Sequence, residues 1–275
     1  MPWRKLLASI LLVGGLVGCG SNVAAVAPTA TPLVGRITFA GSTTVQPLAD
    51  KLGAIFKQDN PGLVLDIAAG GSVVGIKAVH DGTADIGMAS RALTPEEAAG
   101  IHQDQIALDV LAIVVHPTNP AANLTRAQLR DIYLGKITNW KDVGGPDQPI
   151  QVIVRDTNSG TRGAFDEIVL EKQEPQAPHQ RSAFTAGDVA ALVAADPQAI
   201  GYVGFGNLES SLKLLSIDEI QPTKDTARSG AYKLVRPLLL LTGPLTQPLA
   251  QTYIDFVLSA EGQKLVEADG WIPIQ

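Results

Sequence analysis

Three short stretches of this chain share one plan, in which an apolar run ends in a small polar turn that opens a helical pattern. They are Gly41-Ser42-Thr43-Thr44, Gly70-Gly71-Ser72 and Asn158-Ser159-Gly160-Thr161. Residues of these types suit the capture of an anion. At a helix start the first backbone N–H groups lack intrahelical partners and the dipole is positive, so negative charge is favoured there. Glycine lets a ligand approach the backbone, and each hydroxyl adds a donor that rotates to suit. N-capping accounts for any one such turn, since Ser and Thr are preferred caps. Three of them, with arginines close by, point beyond capping.

The arginines stand at comparable places. Arg155 closes an apolar run and precedes Asp156 and the Ser159-Gly160-Thr161 turn, Arg91 follows Ser90 at another run end, and Arg162 follows Thr161 directly. A guanidinium grips an oxyanion through two parallel N–H bonds. The competing account of each is a solvated charge or a pair with a local carboxylate such as Asp156.

Covalent and metal chemistry find no comparable footing. Gly70 and Gly75 have the spacing of a phosphate-binding Walker loop, but Ile76 stands where its lysine belongs. Gly70-Gly71-Ser72-Val73-Val74 lacks the last glycine of a nucleophile elbow. His80, His102, His116 and His179 are scattered without metal-ligand spacing, and Asp85, Asp104 and Asp109 form no metal loop. The expectation is a binding protein with no enzymatic activity, no cofactor and no metal.

The elements that must position these turns alternate between strand and helix from Arg36 onward. Strands are expected at Ile37–Ala40, Leu63–Ala68, Asp85–Ala89, Ile106–Val115, Ile150–Arg155, Ile200–Val203, Lys213–Ser216 and Lys233–Leu241. Between them, Leu48, Leu52, Ile55 and Phe56 share one helical face, and a helix runs from Ser72 through Val79. Further helices are expected at Asn123–Leu134 with Thr125 as cap, from Ser159 past Phe165, Ile168 and Val169, at Asp188–Ala195, and as one C-terminal helix from Pro248 to Ala268. Such alternation implies an α/β fold with a mainly parallel sheet covered on both faces, whose ligands bind outside the carboxyl ends of the strands. The two long strands, Ile106–Val115 and Lys233–Leu241, have the length to cross between two lobes that are then discontinuous in sequence.

The start of the chain carries a different signal. Arg4 and Lys5 precede an uncharged apolar run from Leu6 to Val17, too short to span a membrane as a helix. The run ends in Leu16-Val17-Gly18-Cys19, which resembles the lipobox read by lipoprotein signal peptidase and implies cleavage before a lipidated Cys19. Gly20 to Val34 is uncharged, small and interrupted by prolines, a tether with an r.m.s. span of roughly 20 Å. Loss of Arg4 and Lys5 leaves 19 of the 21 basic residues against 27 acidic ones, a formal charge of about −8. Nucleic acid and anionic membrane surfaces need a basic face and are poor partners for such a chain, although a local set of N–H donors can still hold a small anion. A single cysteine excludes an internal disulfide framework, and stability must come from one large or two medium cores.

Taken together, GSTTVQPLA, AAGGSVVGIKA, ADIGMASRAL, ITNWKDVGG, RDTNSGTRGAFDEIV and AIGYVGFGN resemble the phosphate-binding proteins of bacterial phosphate ABC importers, over nearly all of Gly35–Gln275. The resemblance implies a two-lobed type II periplasmic-binding-protein fold, with each lobe a mainly parallel sheet flanked by helices and two crossover strands between them. Its boundaries would be a lipoprotein signal peptide at 1–18, a tether at 19–34, one lobe from 35–113 plus 237–275, and the other from 114–236. Ligand would be enclosed in the cleft by Thr43, Thr44, Ser72, Ser90 and Arg91 from one lobe and Arg155, Ser159, Gly160 and Thr161 from the other. The implied function is extracytoplasmic binding of inorganic phosphate and its delivery to ABC permease subunits, by a monomer anchored to the membrane through Cys19. Another tetrahedral oxyanion (sulfate, molybdate or a phosphonate) and a surface phosphate sensor or adhesion module are the alternatives. One position departs from the pattern. The better-known branch of that family has an aspartate after the third-strand serine that accepts a phosphate proton, and here the residue is Arg91, so another acceptor is required, Asp156 or a backbone carbonyl.

Overall fold

The computed structural model describes residues 32–274; the expected leader, Cys19 and the tether up to residue 31 lie outside the described residues. The first half of the chain forms β1 (Val34–Gly41), α1 (Gln46–Asp59), β2 (Gly62–Ala69), α2 (Ser72–His80), β3 (Ile86–Ala89), α3 (Pro95–Ala98) and the long β4 (His102–Val115). It continues through β5 (Asn123–Leu124), α4 (Arg126–Tyr133), β6 (Gln151–Arg155), α5 (Gly160–Ile168), β7 (Gln180–Ala183), α6 (Ala186–Ala194) and β8 (Ala199–Gly204). The last elements are β9 (Lys213–Leu214), β10 (Ser216–Ile217), α7 (Lys224–Arg228), β11 (Val235–Thr242), α8 (Pro248–Leu258) and α9 (Ala260–Ala268).

Among the described residues the main sheet runs β2-β1-β3-β11-β4-β8-β6-β7, with β9 also on β4. β2, β1 and β3 are parallel, as are β8, β6 and β7. The long strands β4 and β11 lie between these groups and are antiparallel to each other and to their other neighbours. β4 pairs with β11 up to Val110 and with β8 from Leu111 onward. One strand thus serves both halves, and β4 and β11 are the crossovers that their length led one to expect. Val110 to Val115 are completely buried, as a strand covered on both faces must be.

Two main apolar cores flank these crossovers. One gathers Ile37, Phe39, Leu52, Met88, Tyr253 and Trp271; the other gathers Val110, Tyr133, Trp140, Val152, Phe165 and Tyr202. Local sequence explains most helix starts. Thr125 and Gln128 form a reciprocal capping box at α4, with bonds of 3.1 and 2.8 Å, worth about 1 kcal/mol. Two expectations need correction. The body starts inside the expected 19–34 tether, because Leu33 N–H donates to Asn60 Oδ1 at 2.9 Å and Val34 already pairs with Gly62. Backbone pairing of this kind leaves no mark on composition. The single C-terminal helix is two, because Ser259 turns extended and its Oγ caps α9 by accepting from Gly262 N–H at 3.1 Å.

Candidate anion-binding site

The polar turns leave the carboxyl ends of β1, β2, β3 and β6 and meet over the crossover strands. Thr44 Oγ1 lies 3.0 Å from Thr161 Oγ1, joining the start of α1 to that of α5. Ser72 Oγ accepts the Ser90 N–H at 3.1 Å, and the two hydroxyl oxygens are 3.5 Å apart. Gly160 packs so closely that a Cβ there would run into Ser72 Oγ and sit 2.9 Å from Ser90 Oγ; no larger residue fits that approach. Thr44, Ser72, Ser90, Ser159 and Thr161 are all buried.

Capping is realised in only part of this set. Ser159 Oγ caps α5 by accepting Arg162 N–H at 3.2 Å, and Ser42 Oγ accepts the N–H groups of Thr44 and Val45 at 3.2 and 3.3 Å. α1 and α2 have no side-chain cap. The hydroxyl of Thr44 therefore faces Thr161 and that of Ser72 faces Ser90, rather than closing their own helices.

Arg155 enters this cluster from the end of β6 and is 1% exposed. Its Nε donates to Ala183 O at 3.1 Å, and its Nη2 to Phe184 O at 2.6 Å and Thr43 Oγ1 at 3.1 Å. Asp156 Oδ2 stays 3.9 Å away, while its Oδ1 accepts Asn158 N–H at 2.9 Å and shapes the loop. Burial pulls the Arg155 guanidinium below its ordinary range, as expected for a cation without a close carboxylate. Underneath, Tyr202 stacks on Phe165 with centroids 4.2 Å apart, and its hydroxyl accepts the Arg155 N–H at 3.1 Å. That stack fixes the end of β6.

The other two sequence-predicted arginines turn elsewhere. Arg91 is a correction: its guanidinium is bidentate to Glu97 at 2.6 and 2.7 Å and donates to Ala92 O at 2.8 Å, with its stem against Gly163. Glu97 offers both oxygens there because it belongs to the capping box of α3, and the Arg91 hydrogen bonds hold its carboxyl below the usual range. Arg162 pairs with Asp166 at 2.6 Å and with Glu174, and donates to Arg155 O at 3.1 Å. It braces β6 and does not reach the hydroxyls.

A fourth arginine, not singled out from the sequence, lies against the hydroxyls that Arg91 does not reach. Arg236 on β11 is 2% exposed, with Nη1 3.4 Å from Ser90 Oγ and Nη2 3.4 Å from Thr44 Oγ1. It is paired with Asp109 at 2.8 Å. Its one signal in the sequence is a charge standing inside an otherwise apolar run, Val235 to Leu241.

Comparison with known proteins bears directly on this arrangement. A PBP superfamily domain matches residues 26–261. The phosphate-binding protein PstS of Borreliella burgdorferi is 32% identical over 251 residues, covering 87% of this chain and 90% of that protein. The chain belongs to the PstS family. A second PstS, from Bacillus subtilis, is 31% identical, with 87% and 81% covered. Among solved structures, a phosphate ABC transporter substrate-binding protein with bound phosphate from Clostridium perfringens superposes with a TM-score of 0.84 at 37% identity, covering 88% of this chain and all of that one. An ABC-type phosphate transport receptor from Vibrio cholerae gives 0.73 at 36% identity, with 86% and 99% covered. The two-lobed PstS architecture expected from the sequence is the one observed, with the hydroxyl cluster at the crossover strands.

Proposed function

We propose that this chain captures inorganic phosphate outside the cytoplasm and delivers it to the permease subunits of an ABC importer. The observation that carries this reading is Arg155, a buried cation without a close carboxylate, set among hydroxyls from four turns on both sides of the crossover strands. Such a group suits a small, highly charged tetrahedral anion that can take several donors at once. The phosphate donors in this reading are Thr43, Thr44, Ser72 and Ser90 from the β1, β2 and β3 exits, with Arg155, Ser159, Gly160 and Thr161 from the β6 exit. Lobes of about residues 35–113 plus 237–275 and 114–236 close over the anion, and opening at the permease releases it. No bond is made or broken, so neither cofactor nor catalytic group is needed. Among the described residues no helix is long and apolar enough to cross a membrane. In this reading a lipid on Cys19, at the end of the lipobox-like Leu16-Val17-Gly18-Cys19, retains the chain beside the permease, and the chain acts as a monomer.

Calorimetric titration of the mature protein with phosphate, sulfate and molybdate tests the reading. Tight phosphate binding with much weaker sulfate binding is expected. Comparable sulfate affinity near neutral pH would widen the ligand to tetrahedral oxyanions in general, and no binding would end the reading. Arg155→Ala is expected to weaken phosphate by at least about tenfold, the scale of a lost charge-assisted bond, without unfolding the protein. Unchanged affinity would remove Arg155 from the site.

A further inference from the structure

The donors named above leave a buried charge pair beside them without a role. Arg236 on β11 and Asp109 on β4 are direct cross-strand partners. Asp109 Oδ2 accepts from Arg236 Nε at 2.8 Å and lies 2.8 Å from Nη2, while Oδ1 accepts the Phe205 N–H just past β8 at 2.8 Å. Gly204 lies directly over the pair, where a Cβ would be 2.5 Å from Asp109 Oδ2 and 2.9 Å from Arg236 Nη2. Neither side chain is more than 1% exposed.

A buried ion pair is a poor device for stability alone, because desolvating both charges offsets most of their attraction. Two features give this one another purpose. The carboxylate occupies the Nε side of the guanidinium, and the outer edge then points one way, toward Ser90 Oγ and Thr44 Oγ1. The pair also sits where β4 exchanges β11 for β8, at the step from Val110 to Leu111. Through Phe205 it reaches the backbone of one half, and through Ser90 and Thr44 the anion site of the other.

We propose that Arg236 is a second guanidinium of the anion site and Asp109 its positioning residue, so that ligand capture acts directly on the crossover strands. This rests on the phosphate reading above. Asp109 works through Arg236 and need not touch the ligand.

The test is calorimetric titration with inorganic phosphate, joined to thermal unfolding without it, on wild type, Arg236→Gln, Arg236→Lys, Asp109→Asn and the double variant Asp109→Asn/Arg236→Gln. Arg236→Gln should weaken phosphate by about tenfold or more. Arg236→Lys should remain about threefold weaker or worse, because a point charge cannot reach Asp109, Ser90 and Thr44 together. Asp109→Asn should cost about three- to tenfold, and the double variant should be no weaker than Arg236→Gln. A double variant losing a further factor as large as that of Asp109→Asn would overturn the positioning role. Lowered unfolding temperatures, with phosphate affinity within about twofold of wild type in the Lys and double variants, would mark the pair as purely structural and overturn the proposal. The double variant leaves no lone buried charge, so it keeps the test decisive if a single variant fails to fold. Failure of wild type to bind phosphate would instead strike the function proposed above, and that is read before any substitution.

Discussion

A hydroxyl that accepts an N–H from its own protein still has a proton to offer outward. Thr43 accepts from Arg155, Ser72 from the Ser90 N–H and Ser159 from the Arg162 N–H, so all three are left as donors within one cluster. The turns that carry these residues were legible because a strand, a small turn and a helix start form a local pattern that neighbours dictate. Arg91 was not. Its position after β3 is local, but the direction of its long side chain is decided by Glu97, held ready by its capping bond to the Thr94 N–H at 3.0 Å. Arg91→Ala should therefore leave the phosphate dissociation constant within about threefold of wild type in calorimetric titration. A loss of about tenfold or more would return Arg91 to the ligand donors.

At the scale of elements, α5 does most to place the site. Ser159 caps it, Gly160 and Thr161 face the opposing turns, and one turn later Phe165 stacks on Tyr202. On its other side Asp166 Oδ2 takes Arg162 Nε, while Oδ1 is buried with no hydrogen-bond partner among the described residues. Burial raises the Asp166 carboxyl to about 6, against the pull of Arg162. The folded state then holds this proton more tightly than the unfolded chain, whose aspartate titrates near about 3.9. The group costs nothing below about pH 4, and its destabilisation grows between about pH 4 and 6 and is constant above. Asp166→Asn should gain on wild type in urea midpoint as pH rises through that window and hold the gain at pH 7. Parallel curves across the window would refute this. The break between α8 and α9 teaches the same lesson as Arg91. The apolar period runs on through Ser259, and only its extended backbone and cap bond end one helix and begin the next.

Over the whole molecule, two main cores are joined by paired strands that belong to both, with hydrophobic side chains packed on each side and charge concentrated at the join. Contacts across the join, such as Val73 N–H to Asn158 O at 3.2 Å and Thr44 to Thr161, link segments far apart in sequence. A ligand held by both sides should close them and stabilise the closed form. Saturating phosphate is expected to reduce the radius of gyration in solution scattering and to raise stability by about 2.7 kcal/mol at one hundred times the dissociation constant. An unchanged radius at saturation would contradict closure. By itself, the sequence determined the alternation of strands and helices, the crossover strands and the polar turns, because periodicity, capping and glycine placement act over a few residues. Tertiary structure alone decided that Arg236, and not Arg91, lies with Arg155 beside the turns. Arg236 meets Asp109 from 127 positions away, and only the antiparallel register of β4 and β11 brings the two together.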